Sequence, residues 1–322
     1  MRLIEIDDVR DAAQVIEGEV VRTPLLRADE SLWLKPENLQ PTGAFKLRGA
    51  TYALSRLSAQ ARRAGVVTHS SGNHAYALAH AAARYGTPMV AVMPEVTTAV
   101  KREAVRARGA QIVLVPAAER ESRTAALAAA RGLTVVPPYD HPDVIAGQGT
   151  VGLEIVADLP DVDVVLVPVG GGGLSAGVAT AVAALRPSAK VIGVEPALAA
   201  DAAESLRTGT LCEWPVAQRA RTSAEGLRGS LSALTLAHLR ARLDRIVTVT
   251  EDEIAAAVPW LAARGRVVAE PSGAVATAAY LHHRSALPPG RTVAVVSGGN
   301  VDPAAFAAAL RGGEIRDGAQ RD

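Results

Sequence analysis

The chain has a single cysteine, Cys212, among 322 residues, so it cannot build an intramolecular disulfide framework and suits a reducing compartment. It also has almost no net charge: 34 Lys and Arg against 33 Asp and Glu leave +1. That balance removes any general pull toward nucleic acid or an anionic membrane and leaves small molecules as the expected partners. The first residues, Met1 to Asp11, carry charges of both signs and no apolar central run, so no secretory leader is read there and a cytoplasmic location is expected. One uncharged stretch, Val164 to Leu185, has the length of a membrane span, but Pro168 and four successive glycines interrupt it. A buried strand, a turn and a helix account for it better.

What the chain does have is apolar content, 49% over 322 residues, enough for a sizeable core and beyond the size at which one core usually divides. Short β-branched runs alternate with alanine-rich helical patterns. Strands are expected at Leu32 to Pro36, Gly65 to His69, Pro88 to Met93, Gln111 to Val115, Leu133 to Val136, Val162 to Val169, Lys190 to Glu195, Arg245 to Val249 and Thr292 to Val296. The alternation predicts parallel βαβ units. Residues 50–140 are expected to form a small domain, and residues 1–49 with 141–322 a large one. The Gly147-Gln148-Gly149 run and the prolines near Pro137 suit a crossover between them.

Two segments carry chemistry. In Pro41-Thr42-Gly43-Ala44-Phe45-Lys46-Leu47-Arg48-Gly49-Ala50, a turn delivers one lysine, fenced by small residues, to the start of a predicted helix. A partly desolvated amine in such a place can lose its proton and act as a nucleophile. In the second, the strand ending at Val169 runs into Gly170-Gly171-Gly172-Gly173-Leu174 and then a helical pattern. Successive glycines let main-chain N–H groups converge on an anion at a helix N-terminus. The loop lacks the lysine and hydroxyl of a nucleotide P-loop and has no acidic ribose ligand at a convincing offset, so a small monophosphate fits best. Lysine plus monophosphate cradle points to pyridoxal phosphate.

With Ser70-Ser71-Gly72-Asn73-His74, Val144 to Thr150 and Ser297-Gly298-Gly299-Asn300-Val301-Asp302, these segments resemble, in order and over nearly the whole chain, the motifs of pyridoxal-phosphate enzymes of the serine/threonine dehydratase and serine racemase family. The resemblance implies an α/β, two-domain, fold type II enzyme, each domain an open twisted mostly parallel sheet flanked by helices. It implies that Lys46 carries the cofactor as a Schiff base and then removes the Cα proton, and that Phe45 packs beside the ring. Gly170, Gly171, Gly172, Gly173 and Leu174 would bind the phosphate, Asn73 the phenolic oxygen and Ser297 the pyridine nitrogen, with Gly226 and Glu270 close to the ring. Ser70, Ser71, Asn73 and His74 would hold the substrate carboxylate. Ser71, a serine where allosteric threonine dehydratases typically have alanine, would also serve proton transfer on the face opposite Lys46.

Glu195, the Ala199 carbonyl and Asp201 look like the divalent-cation site of serine racemase and its cation-activated relatives, offering hard oxygens to Mg²⁺, Mn²⁺ or Ca²⁺. Three departures temper the resemblance. Ala44 replaces the usual serine two residues before the lysine, Glu225 replaces an aspartate and is expected to alter only the groups supporting the cofactor, and Tyr76 replaces a glutamine that helps bind ATP in the animal racemase. Activation by ATP is accordingly not expected, and because the chain ends shortly after the Ser297 motif, feedback control by isoleucine is not expected either. The implied activity is dehydration of L-threonine or L-serine to 2-oxobutanoate or pyruvate plus ammonia, with a homodimer as the expected assembly. The rivals are serine racemase or threo-3-hydroxyaspartate ammonia-lyase as main activity, a non-catalytic pyridoxal-phosphate binding protein and, third, a nicotinamide dehydrogenase.

Overall fold

The computed structural model describes residues 2–70 and 72–312. Among these residues ten strands form two sheets: β1 Leu26–Arg27, β2 Leu32–Pro36, β3 Val66–His69, β4 Met89–Pro94, β5 Gln111–Val115, β6 Thr134–Val135, β7 Val164–Pro168, β8 Lys190–Pro196, β9 Arg245–Val249 and β10 Thr292–Val296. The larger sheet runs β1-β2-β10-β7-β8-β9 and the smaller β5-β4-β3-β6. Every pairing is parallel except that of β1 with β2. Residue identity explains the larger sheet. Its central strands are continuous runs of valine, leucine and isoleucine because helices cover both faces. Val165, Val167, Val293 and Val295 enter one core, while Val164, Leu166, Ala294 and Val296 enter the other, the alternation that a pleated strand imposes. A third core lies on the smaller sheet.

The uncharged stretch read as strand, turn and helix is β7 followed by the Gly173–Leu185 helix. No helix among the described residues is long and apolar enough to cross a membrane. Gly147-Gln148-Gly149, by contrast, is not a crossover loop: it lies inside the Pro142–Asp158 helix. These glycines serve packing instead of turning. A Cβ on Gly147 would stand 2.6 Å from the Gly49 Cα, so the Pro142–Asp158 helix can lie directly against the Lys46–Ser55 helix only with glycine at the crossing.

The Lys46–Ser55 helix packs on the Pro142–Asp158 helix and also on the Asn73–Arg84 helix, which flanks the smaller sheet. Its underside is pinned by charge. Arg48, fully buried, donates to Glu37 through Nε (2.7 Å) and Nη2 (2.8 Å), and to Glu154 through Nη1 (2.6 Å) and Nη2 (2.8 Å). Lys35, equally buried on β2, donates to Glu154 Oε2, the oxygen that Arg48 Nη2 also reaches, at 2.5 Å and to the Thr23 carbonyl at 2.6 Å. Two cations therefore face two carboxylates, a balance without which such burial would be prohibitive.

Candidate active site

In open parallel sheets ligands gather beyond the carboxyl ends of the strands, and here those ends of both sheets meet. The turn before Lys46 is stitched to the end of β10: the Phe45 N–H donates to the Ser297 carbonyl at 3.1 Å, the Gly299 N–H to the Gly43 carbonyl at 2.9 Å, and Ala44 bridges Gly298. Lys46 then opens its helix, half-buried, with Nζ donating to the Pro138 carbonyl at 2.7 Å and lying 4.8 Å from the centroid of the Phe45 ring. Desolvation lowers its pKa from 10.5 to about 7. A sizeable neutral fraction at neutral pH is what a nucleophile and base requires.

Beyond β7, Gly170 to Gly173 form the cap of the Gly173–Leu185 helix, with Gly172 at φ +86°, a left-handed conformation that glycine adopts freely. The Tyr139 ring lies so close over Gly171 that any Cβ there would overlap it. Leu174 is buried in the first turn. Leu227, Tyr139, Leu231 and Thr235 press against these four glycines so closely that none has room for a side chain, and the loop offers main-chain N–H groups at a helix N-terminus, which suits a phosphate group. Ser297, buried at the end of β10, donates from Oγ to the Ser272 carbonyl at 3.3 Å, while Ser272 Oγ accepts from the Gly226 N–H at 2.9 Å. Glu270 is the N-cap residue of the Pro271–His282 helix, and its Oε1 accepts from Asn73 Nδ2 at 2.5 Å.

Asn73 and His74 start the Asn73–Arg84 helix, whose first helical bond is Tyr76 N–H to the Gly72 carbonyl, so the N–H groups of Asn73, His74 and Ala75 stand at its open, anion-attracting end. The His74 ring does not join them. It is buried, with Nε2 3.1 Å from the Val136 carbonyl, and burial, aided by the charge of Lys46, lowers its pKa to about 3. Whatever His74 offers a substrate is its main-chain N–H. Ser70 Oγ accepts from the Gly72 N–H at 3.1 Å, shaping the same loop. Ser71 lies outside the described residues.

The candidate cation ligands lie at the end of β8 and at the start of the Asp201–Thr208 helix that follows it. Glu195 is buried at the end of β8 and accepts from the N–H groups of Ala202 (3.0 Å) and Ala203 (2.8 Å). Burial, with a contribution from Asp201, raises its pKa well above the carboxylate range. Asp201 Oδ2 accepts from Ser230 Oγ at 2.6 Å with the Arg219 Nε 3.8 Å away, whereas its buried Oδ1 has no partner. Ala199 is buried between them in sequence. No group of three or more His, Cys, Asp or Glu side chains converges as a metal site among the described residues. Two buried carboxylates with one orphaned oxygen nonetheless suit a hard cation that would draw its remaining ligands from carbonyls and water.

Two neighbours escaped the reading of the sequence. Tyr139 follows β6 and covers the glycine loop. Lys101, in the Ala99–Arg106 helix after β4, reaches across to Glu225 at 2.7 Å and lies along Gly72. Glu225 therefore does more than support the groups around a cofactor, since it ties the two sheets together. Both neighbours follow strand ends, so the carboxyl-edge rule applied to β4 and β6 was the signal that would have found them.

A family model described as "Pyridoxal-phosphate dependent enzyme" matches residues 16–298. L-threo-3-hydroxyaspartate ammonia-lyase of Saccharomyces cerevisiae is 38% identical over 317 residues, covering 95% of this chain and 96% of that protein. L-threonine ammonia-lyase of Thermotoga maritima is 40% identical over 314 residues, covering 93% of this chain and 76% of the other. Among solved structures, maize serine racemase superposes with a TM-score of 0.90 at 34% identity, covering 97% of this chain and 98% of that one.

Proposed function

Since the chain belongs to the pyridoxal-phosphate dependent enzymes, in their branch of lyases and racemases with the type II fold, we propose that it is an ammonia-lyase converting L-threonine or L-serine into 2-oxobutanoate or pyruvate plus ammonia. The observation that carries this reading is Lys46. A desolvated amine with a pKa near 7 stands where the ends of β10, β7 and β6 converge, beside a cradle shaped for a monophosphate.

Pyridoxal phosphate, when bound, supplies an electron sink that acidifies the substrate Cα–H. The main-chain N–H groups of Gly170 to Leu174 would hold its phosphate, Asn73 its phenolic oxygen and Ser297 its ring nitrogen, with Phe45, Gly226 and Glu270 around the ring. A neutral serine hydroxyl at that nitrogen does not enforce ring protonation, which favours prompt elimination over a long-lived carbanion. The start of the Asn73–Arg84 helix, with Ser70 and Ser71 before it, binds the substrate carboxylate and so orients the Cα–H. Lys46 Nζ, about half unprotonated near pH 7, accepts that proton. By the family resemblance Ser71, which lies outside the described residues, would allow racemisation as a side reaction. Glu195, the Ala199 carbonyl and Asp201 would hold an activating Mg²⁺, Mn²⁺ or Ca²⁺, supported by the orphaned Asp201 oxygen. A homodimer belongs to the same reading and rests on the family resemblance.

A second substrate assignment, threo-3-hydroxyaspartate, is favoured by the end-to-end match to the yeast protein of that activity. Purified protein supplied with pyridoxal phosphate is expected to show a visible absorbance band that changes with L-threonine, L-serine or L-threo-3-hydroxyaspartate, and 2-oxoacid formation identifies which is turned over. Lys46→Ala is expected to keep its fold and lose 2-oxoacid production by at least about a thousandfold, corresponding to about 4 kcal/mol of barrier. Continued turnover in that variant sinks the assignment.

A further inference from the structure

Asn300 belongs to the glycine-rich segment after β10, yet none of its atoms has a part in the function proposed above. Its side chain is half-buried and makes two hydrogen bonds, both from Nδ2: to the Thr42 carbonyl at 2.8 Å and to Asn73 Oδ1 at 2.9 Å. The first decides its orientation. A main-chain carbonyl only accepts, so the Asn300 nitrogen must face Thr42, and its second hydrogen is then spent on Asn73. The space is cut to this arrangement: Gly43, at φ +69°, leaves room for the Asn300 amide, and a Cβ there would lie 2.9 Å from the Asn300 Cγ.

The orientation propagates. With its oxygen held by Asn300, Asn73 turns its nitrogen to Glu270, which accepts at 2.5 Å, and the Glu270 N–H closes back on the Gly298 carbonyl at 3.1 Å. Turning the Asn73 amide over would set oxygen against the Glu270 carboxylate and NH₂ against the NH₂ of Asn300. Two attractions would become two repulsions. One hydrogen of Asn73 Nδ2 remains without an acceptor among the described residues.

We propose that Asn300 is a positioning residue: it sets the Asn73 amide so that a donor, and not an acceptor, is presented to the phenolic oxygen of the cofactor. This rests on the reading that the site holds pyridoxal phosphate. A turned amide would bring a carbonyl lone pair to an oxygen that is itself an acceptor when ionised.

The test uses Asn300→Asp, nearly isosteric but unable to donate, beside Asn300→Ala and Asn73→Ala. Cofactor dissociation and the pH titration of the visible band are measured without substrate, and thermal unfolding of the cofactor-free proteins serves as the control. Asn300→Asp, which sets an acceptor against the Thr42 carbonyl, is expected to lower the cofactor-free Tm by about a few degrees and, beyond that, to weaken cofactor binding by about tenfold or more and to shift the titration of the band in the same direction as Asn73→Ala. Should Asn300→Asp fail to fold, the same two measurements on Asn300→Ala decide. Wild-type affinity and titration in the Asn300 variant, with both altered in Asn73→Ala, overturn the proposal. No visible band in the wild-type protein with cofactor overturns the reading of the site itself, and the two failures are thereby distinguishable.

Discussion

Lys46 carries a consequence beyond chemistry. Its pKa in the folded protein, about 7, lies below the ordinary 10.5, so between those values the unfolded chain binds more protons than the folded one. Stability attributable to this side chain therefore rises with pH across that window and is lost as pH falls toward 7. Cofactor-free Lys46→Met is expected to gain most over wild type at pH 6.5, with the difference shrinking by pH 9, as measured by urea midpoints at both values. An equal gain at both sets aside the lowered pKa. This lysine was legible in sequence because a turn, small neighbours and a helix start are all local features. The inward turn of His74 was not, since only the meeting of its ring with Val136, 62 positions away, decides it.

Among elements, the Lys46–Ser55 helix is held by the buried group of Lys35, Glu37, Arg48 and Glu154. Removing one carboxylate leaves two buried cations facing a single anion, and breaking such a group costs about 3–5 kcal/mol. Glu154→Gln is expected to lower the unfolding free energy by about 3 kcal/mol, and adding Lys35→Met to recover more than half, as read from denaturant titrations. Additive losses in the double variant refute the charge-balance account. Short β-branched and apolar runs announced the strands in advance, with the bounds of β2, β5, β9 and β10 as expected. The two-residue β1 was not foreseen, being too short to display a period. The glycines of the Pro142–Asp158 helix were read as a crossover because local propensity is silent about a helix crossing them at van der Waals distance.

For the whole molecule, the Lys101–Glu225 pair joins a helix of the smaller sheet to a loop of the larger one across the mouth of the site. It is partly exposed, 18% and 32%, so its worth is about 0.5–1 kcal/mol. Glu225→Gln is expected to raise KM for the amino-acid substrate about two- to fivefold with a smaller change in kcat, and the exchanged pair Lys101→Glu with Glu225→Lys to restore it. An exchange that fails to restore KM rules out the pair as the tie. Such long-range partners left no periodic trace in the sequence, whereas the motif order, which reports on one strand end after another, conveyed the architecture well.

The strand order carries a lesson about birth at the ribosome. β2, just ahead of the lysine, lies between the short β1 and β10, so its parallel partner is synthesised more than 250 residues later. The smaller sheet, assembled from residues 66–135, can close while translation is still under way. The larger one cannot, and Phe45 waits for Ser297 before the turn that aims Lys46 is secured. The nascent chain thus carries its reactive amine through most of synthesis with no formed pocket around it, and capture of the cofactor becomes one of the last events of maturation.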